Sequence, residues 1–171
     1  MDIGQRQESV DVRQAFHLGQ GSIDERVVLD AEPTTGDHVL VYLLHHGHVE
    51  DLARWHEGHP DVELRVFWDR PGVPERLELR PKLICHRPSE ALFLELMRGC
   101  RALVTSAGFQ TVAEALWLGK PVMVVPTAGH IEQRWNAQEA VAAGAGIESD
   151  RFDITPLLDY LPRHRHDTAA Y

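Results

Sequence analysis

Apolar residues fall along this chain in short runs that alternate with segments where they recur every three or four positions. "HVLVYLL", residues 38 to 44, is nearly continuous in apolar side chains, as a strand covered on both faces is. In "HVEDLARWHEGHP", Val49, Leu52, Ala53 and His56 stand at helical spacing until Gly58 and Pro60 stop the pattern. Two further runs, "VELRVFW" and "KLICH", read as strands separated by the charged, proline-containing loop "DRPGVPERLELRP". Ser89 suits the N-cap of a helix over "EALFLELMRG", with Leu92, Leu96 and Met97 on one face. Strand "RALVTS", a helix over 109–118, strand "PVMVVP" and a helix over 131–143 follow. A short strand near "AGIES" and a short helix "TPLLDYL" close the series.

Strand and helix in strict alternation, joined by a few residues, predict a parallel sheet with helices on both faces. The expected fold class is α/β, a doubly wound Rossmann-like sheet of about six strands over residues 37–162. Residues 1–36 read as a lead-in or interdomain linker, because their apolar residues keep no period and "DAEPTTGD" is a turn-rich hinge. Residues 163–171, "RHRHDTAAY", read as a flexible tail.

Composition limits the partners. With 171 residues, 43% hydrophobic and 25% charged, the chain has the make-up of a soluble globular domain able to bury a core. A formal net charge of -9, without any Lys/Arg cluster, disfavours nucleic acid. A mononucleotide stays open, since backbone amides bind phosphate without basic side chains. Cys85 and Cys100 lie beside apolar runs without a CxxC spacing and read as buried, reduced thiols. No apolar run reaches the length of a membrane span, and the N-terminus is too polar for a signal peptide, so a cytoplasmic location is expected.

In an open parallel sheet, ligands bind beyond the carboxyl ends of the strands, where the next helices begin. Two such junctions are rich in polar groups. In "TSAGFQT", Gly108 allows close backbone approach, and the N–H groups of Phe109, Gln110 and Thr111 open a helix whose dipole favours a phosphate. Ser106 and Thr111 add hydroxyls. Val112 and Leu116, with Ala115 and Trp117, mark the buried side of that helix, and Glu114 points away from them. A carboxylate there can accept two hydrogen bonds from the vicinal hydroxyls of a ribose. Taken alone, the same residue reads as an ordinary exposed helix glutamate.

The second junction is "PTAGHIEQRWNAQEA". Ala137, Ala140, Val141 and Gly144 recur at i, i+3, i+4 and i+7, a narrow face suited to close packing on the sheet. Glu132 and Asn136 share another face, with Gln133 beside them in the first turn, a grouping that suits a neutral, hydroxyl-rich ligand such as a sugar. The plainer alternative is that Glu132 complements the helix dipole and Asn136 is solvated. The loop "HHGH", with His45, His46 and His48, lacks the carboxylate or cysteine framework of a defined metal site, so no metal is expected.

"SAGFQTVAEALWLGKPVMVVPTAGHIEQRWNAQEAVAAGAGI" resembles the C-terminal, donor-binding domain of GT-B glycosyltransferases of the family 28 type, to which the peptidoglycan UDP-GlcNAc transferase belongs. The specific match covers residues 101–147. The resemblance implies that Gly108, Phe109, Gln110 and Thr111, with Ser106, lie along the donor diphosphate and that Glu114 binds the ribose. It further implies that Glu132, Gln133 and Asn136 hold the transferred sugar and that Pro88, Ser89 and Glu90 lie near the base. The loop after the first strand departs from the family's glycine-rich pattern, leaving His45 or His48 as stand-ins for a phosphate contact.

A GT-B enzyme needs two such domains, and this sequence carries one. The resemblance therefore implies the donor half of a hexosyltransferase that uses a nucleotide-sugar, UDP-linked in its relatives. Transfer to an acceptor hydroxyl would proceed with inversion and without a metal or other cofactor. The acceptor site and the catalytic base are expected on a missing N-terminal domain, through which any membrane contact would run. Three alternatives remain: a stand-alone donor subunit of a two-chain transferase, a GT-B-like sugar-nucleotide epimerase, and a non-catalytic nucleotide-binding module.

Overall fold

The computed structural model describes residues 34–42, 47–106 and 108–165. The lead-in up to residue 33, loop residues His45 and His46, and the tail beyond residue 165 lie outside the described residues.

Apolar runs become strands here because each has an apolar layer waiting on both sides. Six strands run parallel: β1 (Val39–Tyr42), β2 (Leu64–Phe67), β4 (Leu83–His86), β5 (Ala102–Thr105), β6 (Val122–Val124) and β7 (Gly146–Glu148). Among the described residues the helices are α1 (His48–Gly58), α2 (Glu90–Gly99), α3 (Phe109–Trp117), α4 (Ile131–Ala142) and α5 (Thr155–Tyr160), the last continued by a 3-10 turn over Leu161–Arg163. On one sheet face Val39, Val41, Val66, Val104 and Met123 meet Leu52 of α1 and Leu157 of α5. On the other, Leu40, Phe67, Leu103 and Val124 meet Met97 of α2, Val112 of α3 and Ala137 of α4. Leu40, Leu52, Leu103 and Leu157 are 0% exposed. Burial of each such side chain contributes about 1.5–3 kcal/mol.

Among the described residues a seventh strand, β3 (Arg76–Arg80), joins the sheet, whose order is β3-β4-β2-β1-β5-β6-β7. The added strand pairs antiparallel with β4 inside the segment expected to be a loop. Its sequence, RLELR, is charged, Leu77 is only half-buried and Leu79 is 40% exposed. An edge strand that lays only Leu77 against the core leaves no apolar run to read, and its pairing comes from β4.

Helix boundaries follow the expected ones closely. Ser89 caps α2, its hydroxyl accepting from the Leu92 N–H at 3.4 Å. The buried stripe of α2 is turned from the expected one: Phe93, Leu94 and Met97 are buried, while Leu92 and Leu96 are half-buried. Both α3 and α4 end in the same six-residue device. Gly119 (φ 65) and Gly144 (φ 78) take the left-handed conformation, and Lys120 N–H and Ala145 N–H reach back to the carbonyls of Ala115 and Ala140. Gly144 is thus a helix stop, and only Ala137 and Ala140 of the expected packing face are buried, with Val141 40% exposed.

Candidate functional site

The chain leaves β1 toward β2 on one side and returns to β5 on the other, so the sheet order reverses between β1 and β5. That switch point is where a crevice opens beyond the strands' carboxyl ends. Because β5 and β6 are neighbours, the first turns of α3 and α4 stand side by side there. The structure therefore brings the two polar junctions to one sheet edge.

At the first junction Gly108 holds the N-cap position of α3 and gives it no side-chain cap, so the first-turn N–H groups have no such partner. Its backbone is ordinary, with φ -64, and a Cβ built there would meet only Thr111 Oγ1, at 3.9 Å. Among the described residues nothing else fills the space above Gly108, and none of them needs the missing side chain. Ser106 is buried, and its hydroxyl has no hydrogen-bond partner among the described residues. An unmade bond of that kind costs about 1–3 kcal/mol. Gln110 and Thr111 are half-buried.

Glu114 departs from its expected exposure: it is 2% exposed. Val112, Ala113, Glu114 and Ala115 are all buried, so α3 is covered on nearly every side rather than along one stripe. Gln110 Nε2 donates to Glu114 Oε1 at 3.1 Å. Burial pushes the carboxyl up from 4.5 to about 7, with the Gln110 bond opposing and the charge of Glu90 reinforcing the rise. Glu90 opens α2, at the Pro88–Glu90 junction. Pro88, Ser89 and Glu90 are all exposed.

At the second junction Glu132 is exposed, while Gln133 and Asn136 are half-buried. Gln133 is not loose: its Oε1 accepts from the Thr127 N–H at 2.8 Å, tying the helix to the loop before it. His48 starts α1, its ring 4.5 Å from that of Phe152. Among the described residues no group of three or more His, Cys, Asp or Glu is arranged to hold a metal ion. Cys85 and Cys100 are free and buried, and burial raises both thiols to about 12. Among the described residues no helix is long and apolar enough to cross a membrane.

Two features escaped the sequence reading. His86 ends β4 just before the Pro88–Glu90 junction, is 5% exposed and leaves Nε2 without a partner among the described residues. Burial first, then Arg65 and Arg76, lower its pKa and favour the neutral ring. A polar residue closing the apolar run "KLIC" was the available signal. The other is a cavity of about 570 Å3 between α1 and the loops after β6 and β7, which draws on three distant segments and has no local signature.

A family model described as Glycosyl transferase family 1 matches residues 18–164. Curated relatives include the UDP-N-acetylglucosamine–N-acetylmuramyl-(pentapeptide) pyrophosphoryl-undecaprenol N-acetylglucosamine transferases of Streptomyces collinus and Streptomyces coelicolor. They are 34% and 33% identical over 118 residues. Each alignment takes in 63% of this chain but 30% of the relative, so the chain spans under a third of their length. Among solved structures, the glycotransferase of kitacinnamycin superposes with a TM-score of 0.56 at 22% identity, over 79% of this chain and 36% of that one. Spinosyn rhamnosyltransferase SpnG complexed with thymidine diphosphate superposes at 0.55 and 18% identity, over 81% and 40%. These likenesses establish the fold as the doubly wound half of a GT-B architecture.

Proposed function

The chain belongs to glycosyl transferase family 1, and on that premise we propose that it binds the donor for transfer of a hexose-type sugar from a nucleotide diphosphate to an acceptor hydroxyl. UDP is the nucleotide of choice, because the curated relatives act on a UDP-sugar. The observation that carries the reading is the α3 junction. An open approach over Gly108, a partnerless buried Ser106 hydroxyl and a buried Glu114 carboxyl meet at one strand end.

In this reading the diphosphate lies over Gly108, with the N–H groups of Phe109, Gln110 and Thr111 donating to it and Ser106 Oγ completing the set. Glu114 accepts from the two ribose hydroxyls, and the base lies toward His86 and Pro88–Glu90. Glu132, Gln133 and Asn136 hold the transferred sugar. The acceptor oxygen attacks the anomeric carbon from the face opposite the diphosphate; the bond from that carbon to the diphosphate oxygen breaks, and configuration inverts. The departing diphosphate gains negative charge, which the α3 dipole and its free N–H groups stabilise, so the step asks for no metal. The acceptor's proton passes to a base outside this sequence, on an acceptor-binding partner domain or subunit. Relatives more than three times the length of the matched segment leave ample chain for such a domain.

Calorimetric titration with UDP, GDP and TDP tests the reading. UDP is expected to bind most tightly, and Glu114→Ala to weaken it by at least about tenfold, the loss of hydrogen bonds to a charged acceptor. Unchanged affinity in that variant removes Glu114 from the ribose. Absence of any nucleotide binding, with the acceptor-binding half supplied, defeats the donor-site proposal.

A further inference from the structure

The cavity of about 570 Å3 contains none of the residues that the proposed donor site uses; of the earlier candidates only His48, a stand-in for a phosphate contact, reaches it, at the start of α1. It lies on the α1–α5 face of the sheet, at the carboxyl end of β6, and its size is that of a small-molecule site. One wall is α1, with Asp51, Arg54 and Trp55; the loop after β7, with Asp150, Arg151 and Asp153, stands opposite. The stretch Val125–Ala128, leading into α4, closes the end nearest the donor junction.

The aromatic wall is built rigid. Trp55 Nε1 donates to Thr155 Oγ1 at 3.0 Å, and the Thr155 N–H donates in turn to Asp153 Oδ1 at 3.0 Å. The ring of His59 stacks on the indole at 4.1 Å with planes 7° apart. Such fixing leaves little rotamer freedom to lose when a ligand arrives. The charges nearly cancel. Arg54 pairs with Asp51 at 3.1 Å, while Asp150 and Asp153 flank Arg151. Carboxylates repel a phosphate, and the two guanidinium groups repel a cation. What remains suited is a neutral molecule with hydroxyls for the planar charged groups and an apolar face for the indole, which describes a pyranose ring.

Its position adds the role. Thr127 lines the cavity, and its N–H is the one held by Gln133 Oε1. The cavity wall and the side chain assigned to the donor sugar are therefore hydrogen-bonded to each other. We propose that this cavity binds a neutral sugar ring of the acceptor, beside the donor. Binding of the ring stands on the cavity alone; the word acceptor rests on the proposed function.

The test uses the 171-residue chain with methyl β-D-glucopyranoside as probe, followed at the tryptophan indole N–H signals by NMR. The glucoside is expected to shift the Trp55 signal saturably, equally with and without saturating UDP. Arg54→Met and Asp150→Asn, both at solvent-exposed positions, are each expected to weaken it at least about fivefold while UDP affinity holds. Absence of a saturable shift at Trp55, or variants that bind the glucoside normally, overturns the proposal. Displacement of the glucoside by UDP-N-acetylglucosamine but not by UDP overturns it too, because the cavity is then the donor sugar's own. Displacement by inorganic phosphate marks an anion site and does the same. Glucoside binding without any UDP binding, even with the acceptor-binding half supplied, keeps the sugar cavity and sinks the donor reading instead.

Discussion

Glu114→Gln separates the energetic cost of the buried carboxyl from its use. Burial, opposed by the Gln110 bond and aided by Glu90, raises Glu114 from 4.5 to about 7. A carboxyl raised on folding takes up a proton as the chain folds, so stability falls as pH climbs from the unfolded value through the folded one. The gap corresponds to roughly 3 kcal/mol, absent below about pH 4.5 and fully expressed by about pH 8. Glutamine keeps the shape and cannot ionise. Urea unfolding of both proteins across this range is expected to show the variant gaining on the parent by about 3 kcal/mol at the alkaline end. The same group must ionise to accept two hydrogen bonds from a ribose. UDP affinity of the parent is then expected to rise about tenfold between pH 6 and pH 8, beyond any change seen with Glu114→Gln, which carries only the ligand's own titration. Parallel stability curves for the two proteins would refute the burial argument. Parallel affinity curves would refute the ribose contact.

Two glycines make a matched pair. A Cβ at Gly146 would sit 1.7 Å from the Val122 carbonyl oxygen across the β6–β7 ladder, so Gly146→Ala is expected to cost more than about 3 kcal/mol or prevent folding. Gly108→Ala meets no such obstacle and is expected to keep the parent's melting temperature while losing at least about tenfold in UDP affinity; normal affinity would remove the close phosphate approach. Lys120, buried in "LGKP", donates to the carbonyls of Thr34 at 2.6 Å and Cys100 at 3.0 Å. Lys120→Met strands both acceptors and is expected to cost about 1–3 kcal/mol. Amide exchange should quicken at Thr34 and Gly36, whose N–H groups pair with Arg98 and Gly99, and unchanged exchange there would show that Lys120 does not hold the incoming chain.

Glu114 shows where local reading stops. Its neighbours Val112 and Leu116 mark one covered side of a helix, and a covered stripe implies an open remainder. That holds for a helix at the surface of a two-layer contact, whereas α3 packs on β5 and touches α4, and Val112 to Ala115 are buried without a break. The same limit hid β3. "RLELR" lays a single half-buried leucine on the core, so nothing in its composition separates it from loop until β4 pairs with it.

The order of the six parallel strands and the helices between them, their class and the Ser89 cap were written in the chain itself. Each depends on contacts within a turn or on the two apolar layers that every inner strand requires, and "VLVY", "ALVT" and Ser89 state those needs locally. The polar residues of both junctions were legible for the same reason, standing where a strand passes into a helix. Only the tertiary structure decided that Glu114 is buried and shifted, that Ser106 and His86 lack partners, and that Trp55, Thr127 and Arg151 wall one cavity. Desolvation, pairing and enclosure are set by atoms far apart in sequence, and a period of two or of 3.6 carries no record of them.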